Sequence, residues 1–486
     1  MKNKYLLFIL IATLLAACTD NFDDYNIDKK LPATAPGDVV FASGQKNLVD
    51  QRTSPNVNEN IFNLISQYWT ETTYTDEANY DLVNRTIPDF TFRGYYRDAL
   101  KDLDEAAKLI AGEEALTEDE AEAKKNKLHI IELMTCYAYQ NLVDIFGNVP
   151  YSEALDLDQV TPAYDDQWVI YQDLISRVNA AISGLNTSWE SFGGQDIFYD
   201  GDVAIWIKFG QSLKLKLGIA IADHDDAAAK AAVEAAVSGG VFSSSADDAL
   251  LYYMASPPNS SPIHNELVLT GRKDFVGANT MIDIMNELQD PRRAAYYTGI
   301  DTSTESGVVK LDYVGGEYGA SSPYALHSHV HPSITEATFP GILFTYGEVL
   351  FYIAEAAERG YSVGMTAEEA YNAAITASFD FWDVDDVASY LAKPEVAYAT
   401  APGTWKQKIA KQAYLAFYTR GLEAWCEWRR LDYPVFAMPP NPFTDTIPKR
   451  YIYPINEQTL NPDNYTSAAA AMGGDKVDNR IFWDKF

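Results

Sequence analysis

The sequence predicts a mostly α protein, built from helix pairs that carry long irregular insertions. Apolar residues recur at helical spacing along most of the chain, strand-like alternation is scarce, and the segments between helices are rich in glycine and aromatics. Ile61, Leu64, Ile65 and Tyr68 fall at i, i+3, i+4 and i+7, one apolar face of a first helix. Further helices are expected over 94–111, 121–146, 167–185, 204–222 and 227–237, then 341–359 and 367–381, with a long one over 405–431. Between them, 186–202 and 296–324 mix turn formers with aromatics, and ordered loops of that length in a folded protein are usually functional. No clean linker divides the chain, so residues 31–486 are read as one domain.

Within these helices a small–large–small spacing recurs: Ala99, Leu103, Ala106; Ala229, Val233, Ala236; Ala367, Tyr371, Ala374. Small residues let a neighbouring helix approach, and the larger one fills the gap between helices. This is the spacing of the second helix of a tetratricopeptide repeat. The regular 34-residue period of such repeats is absent. A degenerate tetratricopeptide-type helical scaffold with insertions is the expectation.

Composition narrows the function. In 486 residues, hydrophobic side chains make up 47% and charged ones 22%, which supplies a core and excludes disorder of the whole chain. A net charge of -32 repels phosphate backbones and anionic lipid, which disfavours nucleic acid and any basic membrane face. Three cysteines show no paired metal-ligand spacing. Cys136 and Cys426 sit in apolar helical contexts and read as inert buried thiols rather than a disulfide. Aromatics are plentiful, with 32 Tyr, 22 Phe and 9 Trp.

The amino end reads as an address. Lys2 and Lys4 precede an apolar run, Leu6 to Ala17, too short to span a bilayer and shaped like a secretory signal. Its end, Leu15-Ala16-Ala17-Cys18, resembles a bacterial lipobox. That resemblance implies a signal peptide over 1–17, cleavage before Cys18, and lipid on the Cys18 sulfur and its new amino group. Several acyl chains give stable anchoring. Losing Lys2 and Lys4 moves the net charge from -32 to -34. Residues 18–30 form an acidic tether with Asp20, Asp23, Asp24 and Asp28, either a solvated spacer or a surface-export signal like that of lipoproteins in Bacteroidetes-type bacteria.

Further motifs carry a family resemblance. Ile145-Phe146-Gly147-Asn148-Val149-Pro150-Tyr151, Lys214-Leu215-Lys216-Leu217, Asp290-Pro291-Arg292 and Glu423-Ala424-Trp425-Cys426-Glu427-Trp428-Arg429-Arg430 occur in this order behind the lipobox. Tyr433-Pro434, Lys449-Arg450-Tyr451-Ile452-Tyr453-Pro454 and Trp483-Asp484-Lys485 follow. The chain thereby resembles the SusD/RagB family of nutrient-binding outer-membrane lipoproteins over nearly its whole mature length. The resemblance implies a surface-facing lipoprotein of the cell outer membrane, a ligand that is an oligosaccharide or a peptide, and a SusC-like TonB-dependent transporter as partner. No cofactor and no catalysis of its own are expected. The motifs themselves are expected to hold the fold rather than touch ligand.

Other chemistries have few parts. Gly-x-Ser-x-Gly, His-Glu-x-x-His and phosphate-binding glycine loops are absent from the sequence. Paired carboxylates for a lipid-anchored glycoside hydrolase are unconstrained by sequence. His327, His329 and His331 alternate, as a metal site on one face of an extended segment could, yet no acid or cysteine motif flanks them, and no metal is expected. The ligand candidates are loop aromatics, because an aromatic face complements the apolar C–H face of a sugar ring. They are Trp69, Tyr74, Tyr80, Trp189, Tyr297, Tyr313, Tyr318 and Tyr324.

Overall fold

The computed structural model describes residues 35–303 and 310–486. The expected signal 1–17 and tether 18–30, with Cys18, Asp20, Asp23, Asp24 and Asp28, lie outside the described residues. From Gly37 to Phe486 the chain forms one compact unit.

Five helix pairs make the scaffold. α1 (Gly37–Thr53) lies against a continuous helical segment made of α2 (Ile87–Arg93), a widened π turn over Gly94–Leu100, and α3 (Lys101–Gly112). α4 (Glu118–Phe146) pairs with α5 (Gln167–Gly184), and α6 (Val203–Ala220) with α7 (Asp226–Gly239). α8 (Tyr346–Glu358) pairs with α9 (Ala367–Phe381), and α10 (Trp405–Ala416) with α11 (Gly421–Leu431). Local chemistry starts several of them. Thr117 with Glu120, Thr366 with Glu369 and Thr404 with Gln407 form reciprocal caps that satisfy orphan N–H groups at the first turn.

The small–large–small residues work as their spacing implies. Ala99, Leu103, Ala106, Ala229, Val233, Ala236, Tyr371 and Ala374 are buried, while Ala367, at the start of its helix, is only half-buried. A Cβ on Gly44 would come within 3.1 Å of Leu103, and one on Gly218 within 3.0 Å of Val233, so facing helices approach closely at these residues.

Four elements differ from the sequence expectation. α1 carries no clean apolar stripe, because Gln45 and Arg52 are buried beside Phe41, Leu48 and Val49. Both find partners inside: Gln45 donates to Asp196 (2.9 Å), and Arg52 pairs with Glu423. The first expected helix shrinks to one turn, Phe62–Ile65; Gln67 turns into left-handed backbone (φ 52°) and β1 (Trp69–Glu71) follows. The 341–359 helix begins as a strand: β4 (Gly341–Phe344) pairs antiparallel with β2 (Ala249–Leu251), and Thr345 then caps α8. Finally, 405–431 breaks into α10 and α11 near Thr419 (φ 70°). At the break, a Cβ on Gly421 would lie 2.3 Å from the backbone carbon of Phe62, so only glycine lets the chain cross the Phe62–Asn63 backbone.

The motif residues are structural. Glu423 sits among Arg52, Lys216 (3.6 Å) and Arg420 (3.9 Å), and Lys216 also binds Glu348 (3.0 Å). Arg430 pairs with Glu355 and Glu427. Arg292 binds Asp290 at 2.7 Å with both side chains fully buried, and reaches Ser378 and Gln412. Gly147 ends α4 with φ 85° and turns the chain into Val149–Pro150. Arg429 donates to the carbonyls of Asp144 (2.8 Å) and Lys449 (2.9 Å), which clamps the carboxy-terminal segment onto α4. Cys136 and Cys426 are free thiols, and burial pushes Cys426 up to about 12.

Candidate functional site: a platform of loops

A platform of irregular loops begins where β1 pairs antiparallel with β3 (Phe275–Gly277), Trp69 opposite Gly277 and Glu71 opposite Phe275. The chain leaving β1 is tied down on both sides. Thr72 donates through its amide to Asp274 and through its hydroxyl to Lys273, both 2.8 Å, while Ser321 donates to the Thr72 carbonyl (2.7 Å). Asn79 bridges outward: its amide group donates to the Gly319 carbonyl (2.7 Å), and it accepts from Asn441 (3.1 Å) and Phe443 (2.8 Å) backbone N–H groups. Three loops, 72–84, 317–326 and 437–446, thus form one connected surface.

Beneath the 72–84 loop lie buried carboxylates. Glu71 accepts from the Ala78 amide (2.9 Å); burial, only partly offset by that bond and by Arg85, pushes its carboxyl up to about 8. Glu77 pairs with Arg85, and Asp81 accepts from the Val83 and Asn84 amides, both 3.0 Å. These bonds brace the 72–84 loop from below.

The eight aromatics expected to contact ligand separate by burial, and the expectation is corrected for four. Trp69, Tyr80, Tyr297 and Tyr318 are at most 2% exposed. Trp69 stacks on Phe275 and donates its indole N–H to the Tyr418 hydroxyl (3.0 Å). Tyr297 donates to the Tyr68 carbonyl (2.8 Å), and Tyr318 lies against Tyr80. Each polar tip is turned inward, so these rings anchor loops to the scaffold. Tyr74, in contrast, is 72% exposed. Tyr324 is half-buried, stacked on His329 (centroids 4.1 Å apart) with the Lys273 ammonium 5.1 Å from its ring. Tyr313 is half-buried beneath Arg293. Trp189 is half-buried on a different segment, where Asn126 of α4 holds its carbonyl.

Sequence reasoning missed Phe443, which is 57% exposed on the platform. A lone aromatic directly after Pro439-Pro440-Asn441-Pro442 was the available signal, since prolines fix an exposed loop. With Tyr80 at its base, a cleft of about 580 Å³ opens between 80–84, 443–446, Ile452 and 476–478. That is the size of small-ligand sites.

The histidine triplet is held by local bonds. His327 contacts the Pro323 carbonyl, His331 contacts the Ser333 hydroxyl, and His329 stacks on Tyr324. Among the described residues, no group of three His, Cys, Asp or Glu side chains could hold a metal ion.

Helix pairs bearing a braced loop platform define a helical scaffold of the tetratricopeptide-like kind. The family model for SusD-like proteins, described as starch-binding and associating with the outer membrane, matches residues 28–454, and the chain belongs to that family. Among solved structures, a chitin-binding SusD homologue from Flavobacterium johnsoniae superposes with a TM-score of 0.76 at 22% identity, covering 92% of this chain and 98% of its own. A SusD homologue from Bacteroides uniformis gives 0.75 at 23% identity, covering 92% and 99%. A chitin-binding protein gives 0.78 at 24% identity, covering 93% and 99%. No curated protein is significantly similar to the chain. These likenesses establish the fold.

Proposed function

We propose that the chain is a surface-exposed outer-membrane lipoprotein that binds an oligosaccharide on the loop platform and delivers it to a SusC-like TonB-dependent transporter. The observation that carries the reading is the exposed pair Tyr74 and Phe443 on loops braced from below. An aromatic offered to solvent on a preorganised loop suits a sugar face, and each such ring contributes modestly, about 0.5–1.5 kcal/mol beyond its buried area. Modest contacts suit a protein that must release its cargo, with dissociation constants of about 1 μM to 1 mM. Family membership supports the glycan and outer-membrane parts, and two of the solved relatives carry chitin-binding names. The lipobox at Cys18 supports the anchor, and the acidic residues behind it support exposure to the exterior. The protein binds without catalysis of its own.

An array of plant, fungal and host glycans together with peptides, probed with the mature protein, tests this. Retention of glycans intact is the expected result. Retention of peptides alone would make this a RagB-like peptide binder, and glycan cleavage would make it a hydrolase.

A further inference from the structure

The 580 Å³ cleft at the edge of the platform has an uneven charge. Its apolar walls come from the exposed Val83 and Phe443 and the half-buried Ile452 and Val477, with the buried Tyr80 and Leu82 beneath them. The charged groups lining it are the carboxylates of Asp81, Asp445 and Asp478 and the ammonium of Lys476. Asp81 is buried and already accepts from Val83, Asn84 and the Asn84 side chain, so it contributes charge but little free bonding capacity. Asp445 and Asp478 are exposed and make no hydrogen bond or ion pair with the described residues.

We propose that this cleft selects neutral and amino-bearing oligosaccharides and rejects anionic ones such as uronates and sulfated glycans. The inference rests on the glycan-binding reading above and adds the substrate class. Two free carboxylates beside an aromatic wall accept hydrogen bonds from sugar hydroxyls, and charge-assisted bonds of this kind are about twice as strong as neutral ones. An ammonium on the sugar pairs with the same oxygens. A ligand carboxylate or sulfate meets three like charges and one Lys476, and like-charge juxtaposition works against binding. Asn84, Thr444 and Thr446 supply neutral partners that any of these sugars can use.

The test is an array of oligosaccharides matched in length and carrying neutral, amino, uronate or sulfate groups, probed with the mature protein and with Asp445→Asn/Asp478→Asn. Both side chains are exposed, so the double variant folds normally, and circular dichroism checks that. For the wild type, retained glycans are expected to be neutral or amino-bearing. Each charge acting across about 6 Å of solvated cleft changes affinity about threefold, so in the double variant amino-glycan binding falls about tenfold, uronate binding rises about tenfold, and the amino-to-uronate ratio shifts about a hundredfold toward uronate. Strongest wild-type retention of uronates or sulfated glycans, or an unchanged ratio in the double variant, would overturn the charge assignment while leaving glycan binding intact. Retention of no glycan by the folded wild type would remove the glycan reading itself, and this inference with it.

Discussion

Replacing Glu423 with Gln keeps the shape of a buried side chain and deletes one charge from the centre of the scaffold. The carboxylate is 1% exposed and faces Arg52, Lys216 and Arg420; Glu348 is the other anion of that cluster. Without Glu423, the buried Arg52 loses its ion-pair partner, and Lys216 and Arg420 are left to share Glu348. Breaking a buried ion pair by removing one partner costs about 3–5 kcal/mol. The acidity of the carboxyl follows from the same cluster. Burial alone would raise the Glu423 carboxyl, but Arg52, Arg420 and Lys216 outweigh it and bring it down from 4.5 to about 2. A shift of that size corresponds to about 3 kcal/mol of stability at neutral pH. Unfolding entropy near 2.1 cal/mol/K per residue, over roughly 450 residues, converts 3–5 kcal/mol into a Tm lower by about 3–5 °C.

The pH dependence has a definite sign. A folded-state value below the unfolded one makes the contribution fully present above about pH 4.5 and lost as pH falls toward 2. Scanning calorimetry of the wild type and Glu423→Gln at pH 7, 5 and 3.5 should therefore show a gap that is widest at the two higher values and narrows at the lowest. A variant that melts within 1 °C of the wild type at pH 7, or a gap that widens on acidification, would refute the reasoning.

Other substitutions separate anchoring rings from offered ones. Trp69→Ala and Tyr297→Ala should each cost about 3–5 kcal/mol and be read as early thermal unfolding, because both rings are buried and bonded. Gly421→Ala drives a methyl into the Phe62 backbone and should lower Tm by several degrees, which a thermal melt measures. Cys18→Ala should leave the melt unchanged and release the protein from the membrane fraction; retention in outer membrane after carbonate washing would exclude lipidation as the anchor.

Helix pairs were legible in the sequence because their packing depends on local spacing: Ala229, Val233 and Ala236 announce a close neighbour whatever that neighbour is. α1 was not legible, since the partners that make Gln45 and Arg52 tolerable in a core lie 151 and 371 residues away. Those distant bonds replace the apolar stripe that periodicity looks for. The 405–431 region kept helical composition throughout, and its break comes from a crossing with Phe62 that only the fold reveals. Among the aromatics, a loop position told nothing about burial. A tyrosine is equally able to turn its hydroxyl toward a backbone carbonyl, as Tyr297 does, or toward water, as Tyr74 does, and tertiary bonding decides which.

The most direct test of the central claim is titration calorimetry with a glycan retained on the array, comparing wild type, Tyr74→Ala and Phe443→Ala. Both variants should melt like the wild type, since the rings are exposed, yet each should bind about threefold to tenfold more weakly. Wild-type affinity in both variants would contradict the platform as the binding site.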